Sequence, residues 1–173
     1  HHQVTLSVLV LAGVEHQVVI VGPHELKEPM GNFLNGFAAE TLWLGEVEMV
    51  PEIYWAFTTL CLPTYREGFP NVVLEAAASG VPVVSSDATG AKDFIEDGVT
   101  GLAVPTGDSH ALANALDRLL KNRPLRKLLV TAALDEVHEK YSSTTISRLN
   151  SDFYAKILSE ASGGNENSPR LAN

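Results

Sequence analysis

Short apolar runs, several of them closed by glycine or proline and separated by helical patterns, constrain this chain more than any other feature. Gln17–Val21 (QVVIV) is a β-branched run stopped by Gly22 and Pro23, and it reads as a buried strand. Thr41–Leu44 ends at Gly45, Thr58–Leu62 ends at Pro63, and Val81–Ser85 and Gly101–Val104 follow. Val4–Leu11 is ambiguous: its β-branched content says strand, its position says helix. Between the runs lie a weak helical pattern at His24–Glu40, broken by Pro29 and Gly31, and a short helix opened by Pro51. Asp108 is placed to cap a helix over Ser109–Lys121, with Leu112, Leu116, Leu119 and Leu120 on one face. Pro124 begins another, with Leu125, Leu128, Leu129 and Ala132 in line. Ser142 or Ser143 caps a last one, striped by Ile146, Leu149, Phe153 and Ile157. Such alternation predicts an α/β, Rossmann-like fold: a parallel sheet with helices on both faces. Ligands of such sheets bind beyond the C-terminal ends of the strands, where the loops at Gly22, Gly45 and Pro63–Pro70 should lie.

Charge removes several partners. With 12 basic against 21 acidic residues the net charge is −9, so broad contact with a nucleic acid backbone is not expected. No apolar run reaches the roughly 20 residues of a membrane span. Cys61 is the only cysteine, which excludes an intrachain disulfide and fits a reducing cytoplasm. Set between Leu60 and Leu62, it reads as a core thiol. His16, His24, His110 and His138 lack metal-ligand spacing and read as surface residues; no metal site is expected. Neither a P-loop nor a dinucleotide fingerprint is present, and there is no Asp-x-Asp pair. Trp43, Tyr54 and Trp55 read as core or rim packing. At 173 residues and 45% hydrophobic content, one sizeable core is the default, placed at residues 3–162. The polar stretch 163–173 (GGNENSPRLAN) reads as a disordered tail.

The stretch YREGFPNVVLEAAASGVPVVSS (Tyr65–Ser86) carries the chemistry. Its loop turns into a helix near Phe69, Pro70 and Asn71, and a helix N-terminus offers free N–H groups and partial positive charge to a phosphate. Gly68 removes a side chain where a ligand must come close. Glu75 follows one turn later, between VVL and AAA, looking back at the same opening. A carboxylate there can grip neighbouring hydroxyls, as on a ribose. An acid near a helix start is also favoured by the helix dipole alone. In so apolar a run, however, Glu75 should be partly buried, and a buried carboxylate needs a partner.

Glu67 and Glu75, with seven residues between them, resemble the Glu-x7-Glu signature of retaining, family 4 ("group 1") glycosyltransferases. LGEVEMVPEIY resembles the segment before that signature, and GAKDFIEDGVTGLAVPTGD the segment after it. The resemblance runs in order from Gln17 to about Leu158. It implies that residues 3–162 are the C-terminal, donor-binding domain of a two-domain GT-B enzyme. It further implies that Glu75 holds the ribose hydroxyls, that Phe69, Pro70, Asn71 and Val72 meet the diphosphate or sugar hydroxyls, and that Gly22 lies near the phosphates. Glu67 would be the catalytic acid beside the transferred sugar, and Leu44–Glu46 would lie near the base. The donor would be a UDP- or GDP-sugar, with no cofactor and no metal, and the acceptor a glycan or a lipid-linked glycan. The enzyme would be cytoplasmic, with peripheral membrane association at the inner face.

Two departures qualify the resemblance. Members of the family carry an Arg and a Lys against the diphosphate on a segment earlier than Gln17, which this sequence does not include. Arg66 and Lys27 are candidate substitutes, although each also reads as an ordinary surface residue. An N-terminal acceptor domain is implied as well, and the chain by itself is expected to transfer little sugar. The rival reading is a non-catalytic nucleotide- or protein-binding module that keeps the fold without the reaction.

Overall fold

Strands β1 (Ser7–Leu11), β2 (Gln17–Val21), β3 (Glu40–Gly45), β4 (Thr59–Leu62), β5 (Val83–Ser86) and β6 (Leu102–Val104) form one sheet, in the spatial order β3-β2-β1-β4-β5-β6. They come from the computed structural model of the chain, which describes residues 7–11, 17–21, 40–45, 51–66, 68 and 71–163. Strands β2 and β3 pair in parallel, as do β4 with β5 and β5 with β6. Strand β1 is antiparallel to both β2 and β4, so the other five all run one way. The expected parallel sheet is therefore present with one reversed strand inserted. Residues 12–16 connect β1 to β2, too short a link for the dozen or more residues of a parallel crossover. The ambiguity over Val4–Leu11 is resolved in favour of a strand.

Helices α1 (Pro51–Tyr54), α2 (Asn71–Ala78), α3 (Ser109–Lys121), α4 (Arg123–Lys140) and α5 (Ser143–Gly163) complete the order, with a 3-10 turn at Ala91–Asp93. All positions of β4 and β5 are buried. Successive strand side chains point to opposite faces, so both faces of the sheet are covered there. On one face Val84, Leu102 and Val104 pack with Leu119 of α3 and Leu129 of α4, and Leu112, Leu116 and Leu125 close around them. The α4 stripe is rotated from the expected one: Leu129 and Ala133 are buried, while Leu128 is exposed. Cys61 is buried, and burial pushes its thiol up to about 12, as befits a core thiol rather than a nucleophile.

Backbone contacts divide the chain into His1–Asp135 and Glu136–Asn173, a division that falls within α4. In the second unit Ser142 caps α5 by accepting the Thr145 N–H at 3.3 Å. The stripe Ile146, Leu149, Phe153 and Ile157 is exposed along α5. Residues 164–173 lie outside the described part.

The caps explain where the long helices begin. Asp108 accepts the Ala111 N–H at 2.9 Å, as its position predicted. Asn122 accepts the Leu125 N–H at 2.9 Å, a cap the sequence reading passed over in favour of Pro124. Replacing Asp108 with Ala should cost about 1 kcal/mol of stability, lowering the thermal midpoint by about 3 °C. A calorimetric scan checks this, and an unchanged midpoint would show that water satisfies the freed amides as well as the carboxylate does.

Candidate functional site

Strands β2, β3 and β4 end on one edge of the sheet, and β4 passes there into the loop that leads to α2. The first half of that loop is pinned to the neighbouring strand. Thr64 N–H bonds the Leu62 carbonyl at 3.0 Å. Ser85 Oγ shares its proton between the Ser86 carbonyl at 3.0 Å and the Leu62 carbonyl at 3.2 Å, and Ser86 Oγ donates to the Thr64 carbonyl. Thr64 Oγ1 then donates to the Arg66 carbonyl at 3.1 Å and accepts the Arg66 N–H at 3.3 Å. Ser85 and Ser86 are buried, so the bonds their hydroxyls make are largely shielded from water, while those between Thr64 and Arg66 are exposed. In the sequence Ser85 marks only the end of a strand; that the serine pair holds the loop is seen in the fold. Two hydroxyls closing an otherwise β-branched run were the available signal.

Further along, Gly68 is exposed. A Cβ built there meets nothing within 4 Å among the described residues, so packing does not demand a glycine. Glu67, Phe69, Pro70 and Gly22 lie outside the described residues. Helix α2 begins at Asn71, which is exposed, and Val72 is half-buried behind it.

Glu75 stands four residues into this helix, one turn from its start. Val73, Ala76 and Ala77 are buried and define the helix's inner stripe. A step of about 100° per residue carries Glu75 off that stripe. The acid in the apolar run thus belongs to the side of the helix away from that stripe, and it is half-buried, as expected. Its partner is Tyr54, at the end of α1. The Tyr54 hydroxyl stands 3.2 Å from the Val72 carbonyl oxygen and 3.4 Å from Glu75 Oε2, one proton shared between two acceptors. Tyr54 is only 1% exposed. Burial, and then the charge and hydrogen bonding of Glu75, hold its phenol well above the ordinary value. Among the described residues no other group hydrogen-bonds the Glu75 carboxylate.

The other expected residues are scattered. Arg66 is exposed at the loop; Lys27 and Glu46 lie outside the described residues. Leu44 is exposed at the end of β3, and Gly45 closes that strand with φ 73, a conformation that favours glycine. Trp55 is exposed rather than packed, whereas Trp43 keeps its indole nitrogen buried without a hydrogen-bond partner among the described residues. His110 and His138 are exposed, as expected. Among the described residues no group of three or more His, Cys, Asp or Glu is placed to hold a metal ion.

A further contact on the same edge had no sequence signal. Asp87, just past β5, accepts the Thr106 hydroxyl at 2.8 Å and its N–H at 2.9 Å, and pairs with Lys92 at 3.5 Å. These contacts, Thr106 first, hold its carboxyl below the usual range and tie together the loops that follow β5 and β6.

The sequence profile of the family described as "Glycosyl transferases group 1" matches residues 6–122. The phosphatidyl-myo-inositol mannosyltransferase of Mycobacterium leprae is 34% identical over 136 residues, covering 77% of this chain and 36% of that protein. HepE from Anabaena, solved in complex with UDP and glucose, shares the fold with a TM-score of 0.74 at 21% identity, over 80% of this chain and 40% of that one. The C-terminal domain of the group 1 family glycosyltransferase LpcC from Francisella tularensis gives a TM-score of 0.62 at 25% identity, over 69% of this chain and 64% of that one. The chain spans about a quarter to a third of the length of the curated relatives it matches.

Proposed function

Because the chain belongs to the group 1 glycosyltransferases and carries the GT-B fold of their C-terminal domain, we propose that it is the donor-binding part of an enzyme that takes a sugar from a nucleoside diphosphate. The sugar passes, with retention of anomeric configuration, to a glycan or a lipid-linked acceptor. One observation carries this reading: a half-buried carboxylate, Glu75, set one turn inside an apolar helix at the edge where the strands end, with the Tyr54 hydroxyl at Oε2 and no other hydrogen-bond partner among the described residues.

The chemistry follows from the helix. The free amides of the first turn of α2 and its dipole suit a diphosphate at Phe69–Val72. Vicinal hydroxyls of a ribose, one turn along, suit Glu75, which accepts from both. The transferred sugar then lies toward Glu67, whose negative charge gains value as the anomeric carbon becomes positive. Binding of this kind needs no metal, since amides and the helix dipole meet the phosphate charge. HepE, with UDP and glucose bound, is a precedent in the same fold. The acceptor comes from a second domain, and closing the two domains excludes water and aligns the reactants. Residues 1–173 alone should therefore bind nucleotide and transfer sugar poorly. A cytoplasmic enzyme, associated peripherally with the inner face of the membrane, suits lipid-linked acceptors, and no helix among the described residues is long and apolar enough to cross one.

Calorimetric titration of the full-length protein with UDP, GDP and uridine tests the reading. One diphosphate should bind at a single site and uridine far more weakly. Loss of the distinction between UDP or GDP and the free nucleoside, or no binding by either diphosphate, overturns it.

A further inference from the structure

Tyr54 has no role in the reading above, yet among the described residues its hydroxyl is the only group that hydrogen-bonds the Glu75 carboxylate. A phenylalanine ring would fill the same space between α1 and α2, so packing alone does not call for a hydroxyl. The backbone alone does not call for it either. Val72 lies in the first turn of a helix, where its carbonyl already has the Ala76 N–H as its regular partner. What the hydroxyl adds to that regular bond is a link to the carbonyl at 3.2 Å and, from the same proton, to the carboxylate at 3.4 Å. A glutamate side chain on the outer side of a helix has three torsions, and most of their combinations point it away from the sheet edge. A donor fixed at 3.4 Å from Oε2 selects those that keep the carboxylate within its reach. Because Tyr54 is buried, water competes poorly for that proton.

We propose that Tyr54 is a positioning residue for Glu75: its buried hydroxyl, shared between the Val72 carbonyl and the carboxylate, holds Glu75 in the rotamer that grips the donor's ribose. The proposal rests on the donor-binding reading. It adds to that reading the means by which a single acid on a short helix is prepared for its ligand before the ligand arrives. Preorganisation of this kind lowers the ordering cost of binding rather than adding a contact. It acts on ribose recognition only, and so it should leave the chemical step alone.

The test is a double-mutant cycle on the full-length protein, with Tyr54→Phe, Glu75→Gln and the pair, titrated with UDP, 2′-deoxy-UDP and GDP. Tyr54→Phe should raise the Kd of the ribonucleotide by about three- to tenfold. In the Glu75→Gln background the same change should shift Kd by less than about twofold, because a glutamine, even one held by the same hydroxyl, lacks the carboxylate grip that Tyr54 would orient. Tyr54→Phe should also narrow the preference for UDP over 2′-deoxy-UDP, which general loosening of the fold would not do. Equal effects of Tyr54→Phe in both backgrounds, or an unchanged preference for the ribose hydroxyl, overturn the proposal and leave donor binding standing. If Glu75→Gln itself changes no affinity, donor binding at Glu75 falls, and the positioning role with it. Thermal midpoints of all three variants identify any loss of folding.

Discussion

Glu67→Gln in the full-length protein should lower kcat by about a hundredfold while moving KM by less than about threefold. Glutamine keeps the size of the side chain and one acceptor oxygen, and it removes the charge. Before reaction the transferred sugar is neutral, so it gains little from that charge, and binding should survive. As the bond to the diphosphate stretches, positive charge grows at the anomeric carbon. Unit charges about 4 Å apart attract by roughly 4 kcal/mol at an effective dielectric of about 20. A partial charge at that distance would be worth about 2.7 kcal/mol, which corresponds to a hundredfold in rate. The assignment comes from the place of Glu67 as first acid of the pair, in a loop whose opening residues are pinned by Ser85, Ser86 and Thr64. Steady-state kinetics with the donor varied at saturating acceptor give both constants. If kcat is unchanged, Glu67 does not face the developing charge, and the residue beside the transferred sugar must be sought elsewhere.

How far the sequence could be read depended on what each feature rests on. Strands β2, β4 and β5 were legible because short runs of β-branched or apolar residues with Gly or Pro at one end have few other uses. The cap at Asp108 was legible because its partner lies three residues away. The direction of β1 was not, since its composition says only that it is extended; the short link to β2 decides its orientation. The face of α4 was half legible: the 3.6-residue period is in the sequence, while the rotation that buries Leu129 and exposes Leu128 is set by packing on α3 and the sheet. At the site, the burial of Glu75 followed from the residues around it. Its partner did not, because Tyr54 lies 21 residues earlier and meets it only after α1 and α2 have packed. The serine staple was hidden for the same reason, its acceptors lying 22 and 23 residues away on the preceding strand and its loop. Local signals reached the elements; contacts that depend on packing did not.

Glu75→Gln should act on the other constant, raising the donor KM by about ten- to fiftyfold with kcat changed by less than about threefold. A hydrogen bond to a charged acceptor is worth about 1.5–3 kcal/mol, and glutamine turns one of the two acceptor atoms into a donor. The ribose takes no part in the reaction. Its hydroxyls are held equally before and during transfer, and an interaction that is uniform along the path lowers KM without raising kcat. The substitution should be tolerated by the fold, because the glutamine oxygen can still accept from Tyr54 in the place of Oε2. Removing the carboxylate's charge should also bring the Tyr54 phenol down toward its ordinary range, since that charge is among the causes that raise it. A thermal midpoint of Glu75→Gln close to that of the wild type would confirm that the variant is folded. Kinetics on the same preparation then decide the role. A fall in kcat with KM untouched would place Glu75 against the reacting sugar and exchange the roles of the two acids, whereas no change in either constant would leave it as a favourable charge near a helix start.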